Sequence, residues 1–172
     1  MPNPIQDSTV KRVKAARRLM ANAQLESIRL LQADAEYLPF RGRIVSAADK
    51  AHRGLYVSAK AFPQARLEAK DKRLRVSVRY LLHARRGPGR QSQVALRIRV
   101  LFELWYALPA GLRPTPEETR AFSQTNAMLN SWPYWREFVQ NTVARMNLPP
   151  LTLLLFRLIP SPPRGKPTPQ RD

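Results

Sequence analysis

The sequence predicts an α+β fold: a four-stranded antiparallel sheet with two C-terminal helices packed on one face. Three observations point to it. Residues 73–84 and 94–106 alternate apolar and polar side chains with period two, the mark of strands with one buried face, and a Gly-Pro-Gly connection joins them as a hairpin. "PTPEETRAF" then opens a helix, with Thr115 as N-cap, Pro116 at the first helical position and Glu118 closing a capping box. Every strand precedes the main helix pair, which excludes βαβ winding and leaves helices layered on an antiparallel sheet.

Taken in order, residues 1–8 carry no periodic pattern and are expected to be disordered. From Thr9 to about Ala23, Val10, Val13 and Met20 recur at helical spacing opposite Lys11, Arg12, Lys14 and Arg18. This basic amphipathic helix packs on the domain or lies on a membrane surface. "QLESIRLLQADAEYLP" fits a continued helix or a bulged strand, and Ile28, Leu30 and Leu31 favour the strand. Phe40–Arg53 reads as a loop. In "GLYVSAKAF", Leu55, Val57, Ala59 and Ala61 alternate with Tyr56, Ser58, Lys60 and Phe62.

The hairpin is the clearest element. Leu74, Val76, Val78, Tyr80 and Leu82 form one buried set, and Val94, Leu96, Ile98, Val100, Phe102, Leu104 and Tyr106 the other. The helix from Pro116 is expected to run to about Asn130 and to break at Pro133, which lacks an N–H. A second helix then runs to about Met146, with Asn147 as a left-handed C′ residue before Pro149-Pro150. "LTLLLFRL" is apolar and extended, and "IPSPPRGKPTPQRD" is Pro-rich, basic and expected to be disordered. The domain organisation is thus a basic extension over 1–22, one domain over 23–158 and a tail over 159–172.

Composition narrows the function. The 172 residues contain no cysteine, which excludes disulfides and thiolate chemistry. No run of about 18 apolar residues is present, and the first residues lack the apolar core of a secretory signal, so a cytoplasmic protein is expected. The two histidines, His52 and His83, fall in different segments, no Cys/His spacing suits a metal, and no glycine-rich phosphate loop opens a helix. Carboxylates are few and scattered, with Glu117 and Glu118 accounted for by capping. The sequence therefore predicts neither an enzyme nor a cofactor or metal site.

The 30 Lys+Arg against 12 Asp+Glu give a net charge of +18, which favours acidic partners. Arg73, Arg75, Arg79, Arg97 and Arg99 share the polar face of the hairpin if its register aligns the two polar sets. They offer a surface for an acidic partner, or, as an alternative function, a basic nucleic-acid-binding module. Aromatic stacking platforms are sparse there, with Trp105 alone on that face. Leu81, Leu101 and Trp105 lie on the same face and call for an apolar partner. On the last helix, Trp132, Trp135, Phe138 or Val139, Thr142, Val143 and Met146 form a stripe suited to packing on the sheet. Trp132 and Tyr134, beside Pro133, are better placed to touch something mobile.

"PYWREFVQNTVARMNLPPLTL" resembles the C-terminal helix and exit of the SecB-type export chaperones. The matching residues are Trp132, Pro133-Tyr134, Arg136-Glu137, Arg145, Pro149-Pro150, Leu151 and Leu153. "FELWYAL" resembles that family's last strand, and the order of four strands followed by two helices agrees. The resemblance covers about residues 20 to 158 and implies an ATP-independent holdase that assembles as a homo-oligomer, a dimer of dimers. It implies clients that are unfolded or extended polypeptides, bound in apolar grooves between sheet and helices, for export or for a dedicated client such as an antitoxin. On that basis the client-binding residues are Trp105, Trp132, Tyr134, Trp135 and Phe138, with Phe122, Met128, Met146 and Leu148 as supporting wall. Members that dock the translocase motor use acidic residues on the sheet face. Arginines occupy that face here, so no acidic constellation carries over for motor docking.

Overall fold

The computed structural model describes residues 4–38, 55–68, 72–86, 93–154 and 156. The expected Phe40–Arg53 loop, the Gly-Pro-Gly connection and the basic tail from Ile159 lie outside the described residues. Four strands, β1 (Gln24–Tyr37), β2 (Leu55–Glu68), β3 (Arg73–Arg86) and β4 (Gln93–Ala107), form one antiparallel sheet in the order β1-β4-β3-β2. The helix α1 (Pro4–Asn22) precedes them. After them come α2 (Pro116–Phe122), a π-helical turn (Ser123–Ala127) and α3 (Met128–Arg145). The α+β expectation holds.

The alternation of β3 and β4 places the core. Val78 pairs with Phe102 and Tyr80 with Val100, so the two apolar sets meet on one face. Leu74, Val76, Val78, Tyr80, Leu82, Ile98, Leu104 and Tyr106 are fully buried there, with Phe122, Trp135 and Val139 closing the core from the helices. The two tyrosine hydroxyls need partners in that position, and the helical layer supplies them. Tyr80 shares a 2.8 Å hydrogen bond with Ser131, and Asn130 Nδ2 donates to the Tyr106 hydroxyl at 3.1 Å. Burial raises the Tyr80 pKa to about 12 and pushes Tyr106 up as well. These bonds fix the start of α3 over the middle of the sheet.

The edge strands are less regular. Segment 24–37 is a strand, as its β-branched and leucine residues favour, with register shifts between Leu25 and Ser27 and between Leu30 and Gln32. β2 continues past Phe62 through Pro63 to Glu68. Its edge position makes the missing proline N–H tolerable.

Two helical expectations are corrected. α1 begins at Pro4, earlier than Thr9, so residues 4–8 are helical rather than disordered; proline fits a first turn, where its N–H has no intrahelical partner. Helix α3 also runs unbroken through Pro133. Leu129, four residues back, and Pro133 are both exposed, so this turn borders solvent, where water can replace the lost donor, and the helix continues. The irregularity lies upstream, in the π turn at 123–127. There Ser123 and Thr125 hydroxyls donate back to the carbonyls of Arg120 and Ala121, both at 2.8 Å. The other end of α3 follows the sequence. Asn147 takes φ 52, Leu148 N–H donates to Val143 O at 3.1 Å and Asn147 N–H to Ala144 O at 3.0 Å, a Schellman motif.

α1 packs on α2 and the π turn, burying Ala16 and Leu19 completely. A fork joins α1 to α2: Arg18 Nε donates to Glu118 Oε1 and Nη2 to Oε2, both at 2.7 Å, and Nη2 also reaches Arg113 O at 2.9 Å. Glu118 simultaneously closes the capping box, accepting from Thr115 N–H at 2.7 Å. The Arg18 hydrogen bonds, then those from Thr115, hold the Glu118 pKa at about 2. A depressed carboxyl pKa contributes stability above the ordinary value of about 4.3 and loses it as pH falls through the folded value. Amide-exchange protection of α1 should therefore fall as pH drops from about 4.3 toward about 2. In Glu118→Gln that acid-dependent step should be absent, and an identical acid profile in the variant would assign the step to other groups.

Candidate functional site

The sheet presents two chemically different faces. The face away from the helices carries the five arginines, and the register brings them together as expected: Arg75 opposite Trp105, Arg79 opposite Leu101, and Arg99 opposite Leu81. The carboxylates that meet them come largely from the edge strands. Arg73 pairs with Glu26 at 3.0 Å, Arg97 with Glu36 at 3.1 Å, and Arg99 Nε donates to Asp34 at 2.8 Å. Arg75 reaches Glu68 at 3.3 Å and Glu103 at 3.7 Å. Of the five, Arg79 has no carboxylate partner among the described residues. Burial, then the nearby cations Arg97, Arg85, Lys60 and Arg99, lower the His83 pKa, so positive potential persists around Arg79 and His83.

Trp105 belongs to this polar face. It is half-buried, its Nε1 donates to Glu103 Oε1 at 2.7 Å, and the Arg75 guanidinium lies 5.8 Å from its ring centroid. Trp105 and Arg73 line a shallow depression with Glu26, Ser27 and Arg29.

The helix-covered face holds the aromatic assembly. Tyr80 stands at its centre, with Trp135 stacked on it at 5.2 Å and 9°. Trp132 and Phe102 meet Tyr80 edge-on at 5.8 and 6.2 Å. Tyr134 lies 6.5 Å from Phe102 yet is 49% exposed. Helical spacing sorts these rings: Trp135 points down into the sheet, Trp132 lies on the flank and Tyr134 faces outward. Phe138, Met128, Met146 and Leu148 are half-buried and pack against the core's edge. The exposed Leu129 extends the apolar surface along α3.

The nine aromatic and apolar residues singled out from the sequence therefore divide three ways. Trp132, Tyr134, Phe138, Met128, Met146 and Leu148 retain accessible surface around α3. Trp135 and Phe122 are fully buried core residues, Phe122 meeting Tyr106 edge-on at 4.9 Å. Trp105 lies across the sheet from the others, so Trp105 and Trp132 do not form one surface within this chain. One contact of Trp132 has no signal in the sequence, that with the segment after α3. Its Nε1 donates to Leu154 O at 3.0 Å, and its ring lies 5.5 Å from Phe156.

No family model matches the chain, and no curated protein sequence matches it. Among solved structures, it is similar to a SecB-like chaperone of Mycobacterium tuberculosis in complex with a ChAD peptide from the HigA1 antitoxin. The two are 27% identical with a TM-score of 0.69, over 85% of this chain and 99% of the other. The likeness supports a SecB-like family. A protein of unknown function from Streptococcus agalactiae is also similar in part, at 10% identity and a TM-score of 0.45, over 77% of this chain and 97% of the other. The SecB-like architecture accounts for the layering seen here: a four-stranded antiparallel sheet, one face of which carries the long C-terminal helix. Among the described residues, no helix is long and apolar enough to cross a membrane, and no acidic or histidine cluster suits a metal ion.

Proposed function

We propose that this SecB-like protein is an ATP-independent chaperone that holds extended, apolar segments of unfolded polypeptide. The observation that carries this reading is the aromatic surface at the start of α3. Trp132, Tyr134, Phe138 and Leu129 expose apolar area beside a rigid, hydrogen-bonded core. Large aromatic rings bury much area at low entropic cost and accept many partner shapes, which suits clients without a fixed sequence. Likeness to a SecB-like chaperone bound to an antitoxin peptide supports a polypeptide client of that kind.

Self-association belongs to the same proposal. Leu25, Leu30 and Leu31 are exposed on β1, an edge strand, and a second copy covering them accounts for apolar side chains at a free edge. The arginine face is proposed as an accessory surface for acidic partner segments, centred on Arg79. Its other four arginines already meet carboxylates, which leaves the nucleic-acid alternative without a supporting observation.

The test is aggregation of a chemically denatured client on dilution, followed by light scattering without nucleotide. The protein should suppress scattering at near-stoichiometric ratios, and ATP should change nothing. Aggregation that proceeds unaltered at a several-fold excess of folded protein would refute the chaperone reading.

A further inference from the structure

The segment that follows α3 has the character of a bound polypeptide rather than of an integral element. Asn147 closes α3, Pro149-Pro150 forbid its continuation, and residues 149–154 form neither helix nor strand. Its side chains alternate. Leu151 is half-buried, Thr152 exposed, Leu153 only 7% exposed within the core cluster, and Leu154 87% exposed. Among the described residues, no backbone–backbone hydrogen bond ties residues 149–154 to the sheet. What holds the segment is burial of alternate side chains, the Trp132–Phe156 ring contact and the indole hydrogen bond to the Leu154 carbonyl. A carbonyl is common to every residue, so this bond recognises an extended chain without reading its sequence.

We propose that residues 151–154 and Phe156 are a tethered occupant of the Trp132 surface, and that an incoming client displaces them. The inference rests on the chaperone reading and deepens it. It makes Trp132 the hook for a client's backbone carbonyl, and it specifies the segment that fits: extended, with apolar side chains at the spacing of Leu151, Leu153 and Phe156. The tether is short, so the resident segment competes at an effective concentration of about millimolar. A surface that is free about one-tenth of the time binds an external segment with about ten-fold weaker apparent affinity.

The probe is a fluorescent peptide with this chain's own sequence from Pro149 to Leu158, titrated by anisotropy. A chain ending at Pro150 should bind it about ten-fold or more tightly than the full-length chain does. Trp132→Phe in the shortened chain, which keeps a ring and removes the N–H, should weaken that binding. Equal affinity of shortened and full-length chains, or no binding by a folded shortened chain, overturns the proposal. Should circular dichroism show the shortened chain unfolded, Leu153→Asp in the full-length chain replaces it, with tighter peptide binding expected and unchanged binding overturning the proposal. Aggregation assays on the same proteins separate the two claims. Equal suppression with and without the segment removes the tethered-occupant proposal and leaves the chaperone reading. Peptide binding that tightens in the shortened chain without any suppression does the reverse.

Discussion

Replacing Trp135 by alanine is expected to lower the melting temperature by about 6–20 °C. The side chain is fully buried and stacked on Tyr80, at the junction of α3 with β3. Deleting a buried tryptophan costs about 3–5 kcal/mol, because the cavity adds to the lost transfer energy. In a chain of this size each kcal/mol shifts the midpoint by about 2–4 °C. The Trp135 indole N–H finds no hydrogen-bond acceptor among the described residues, so Trp135→Phe forfeits less and should retain most of the stability. Thermal unfolding followed by circular dichroism measures both. An alanine variant within about 2 °C of the parent would mean that α3 does not hold its place through this ring.

The second large effect is on binding. Trp132→Ser should weaken binding of an extended apolar peptide by about 30-fold, the loss of a central aromatic anchor worth about 2 kcal/mol. Trp105→Ser should leave binding within about two-fold, since Trp105 lies on the opposite face of the sheet beside Arg75 and Glu103. The comparison is best made in the chain shortened at Pro150, where release of the resident segment cannot offset the lost anchor. Equal losses in the two variants would contradict the division of the tryptophans between the faces.

That division is legible in strand parity. Trp105 alternates with the core residues Leu104 and Tyr106, so period two alone places it with the arginines, away from the face that receives the helices. Grouping it with Trp132 follows residue type and family likeness rather than parity. Parity also marks the main buried face of β3 and β4, although Ala95 and Glu103, of the other parity, are buried too and Val94, expected in the core, is only half-buried. β1 is harder to read, since an edge strand with two register shifts and exposed leucines does not keep one period.

The helical layer shows a different limit. The capping box at Thr115 and the left-handed Asn147 are local chemistry, and local sequence predicts them. Pro133 misleads because its cost depends on where Leu129's carbonyl points, and that is set by how α3 lies on the sheet. The π turn gives only a faint signal in Ser123 and Thr125, whose hydroxyls bond back to the preceding turn. The contact between Trp132 and Leu154 spans the turn after α3 and depends on the path the chain takes back across the helix.

The claim that the outer flank of α3 receives an extended client is tested most directly by site-specific photocrosslinking. A photoreactive phenylalanine analogue at position 134, where Tyr134 is half exposed, and another at position 105 report the two faces separately. With a denatured client present, adducts should form from position 134 and be largely absent from position 105. Adducts from position 105 with none from position 134 would place the client on the arginine face and contradict the account.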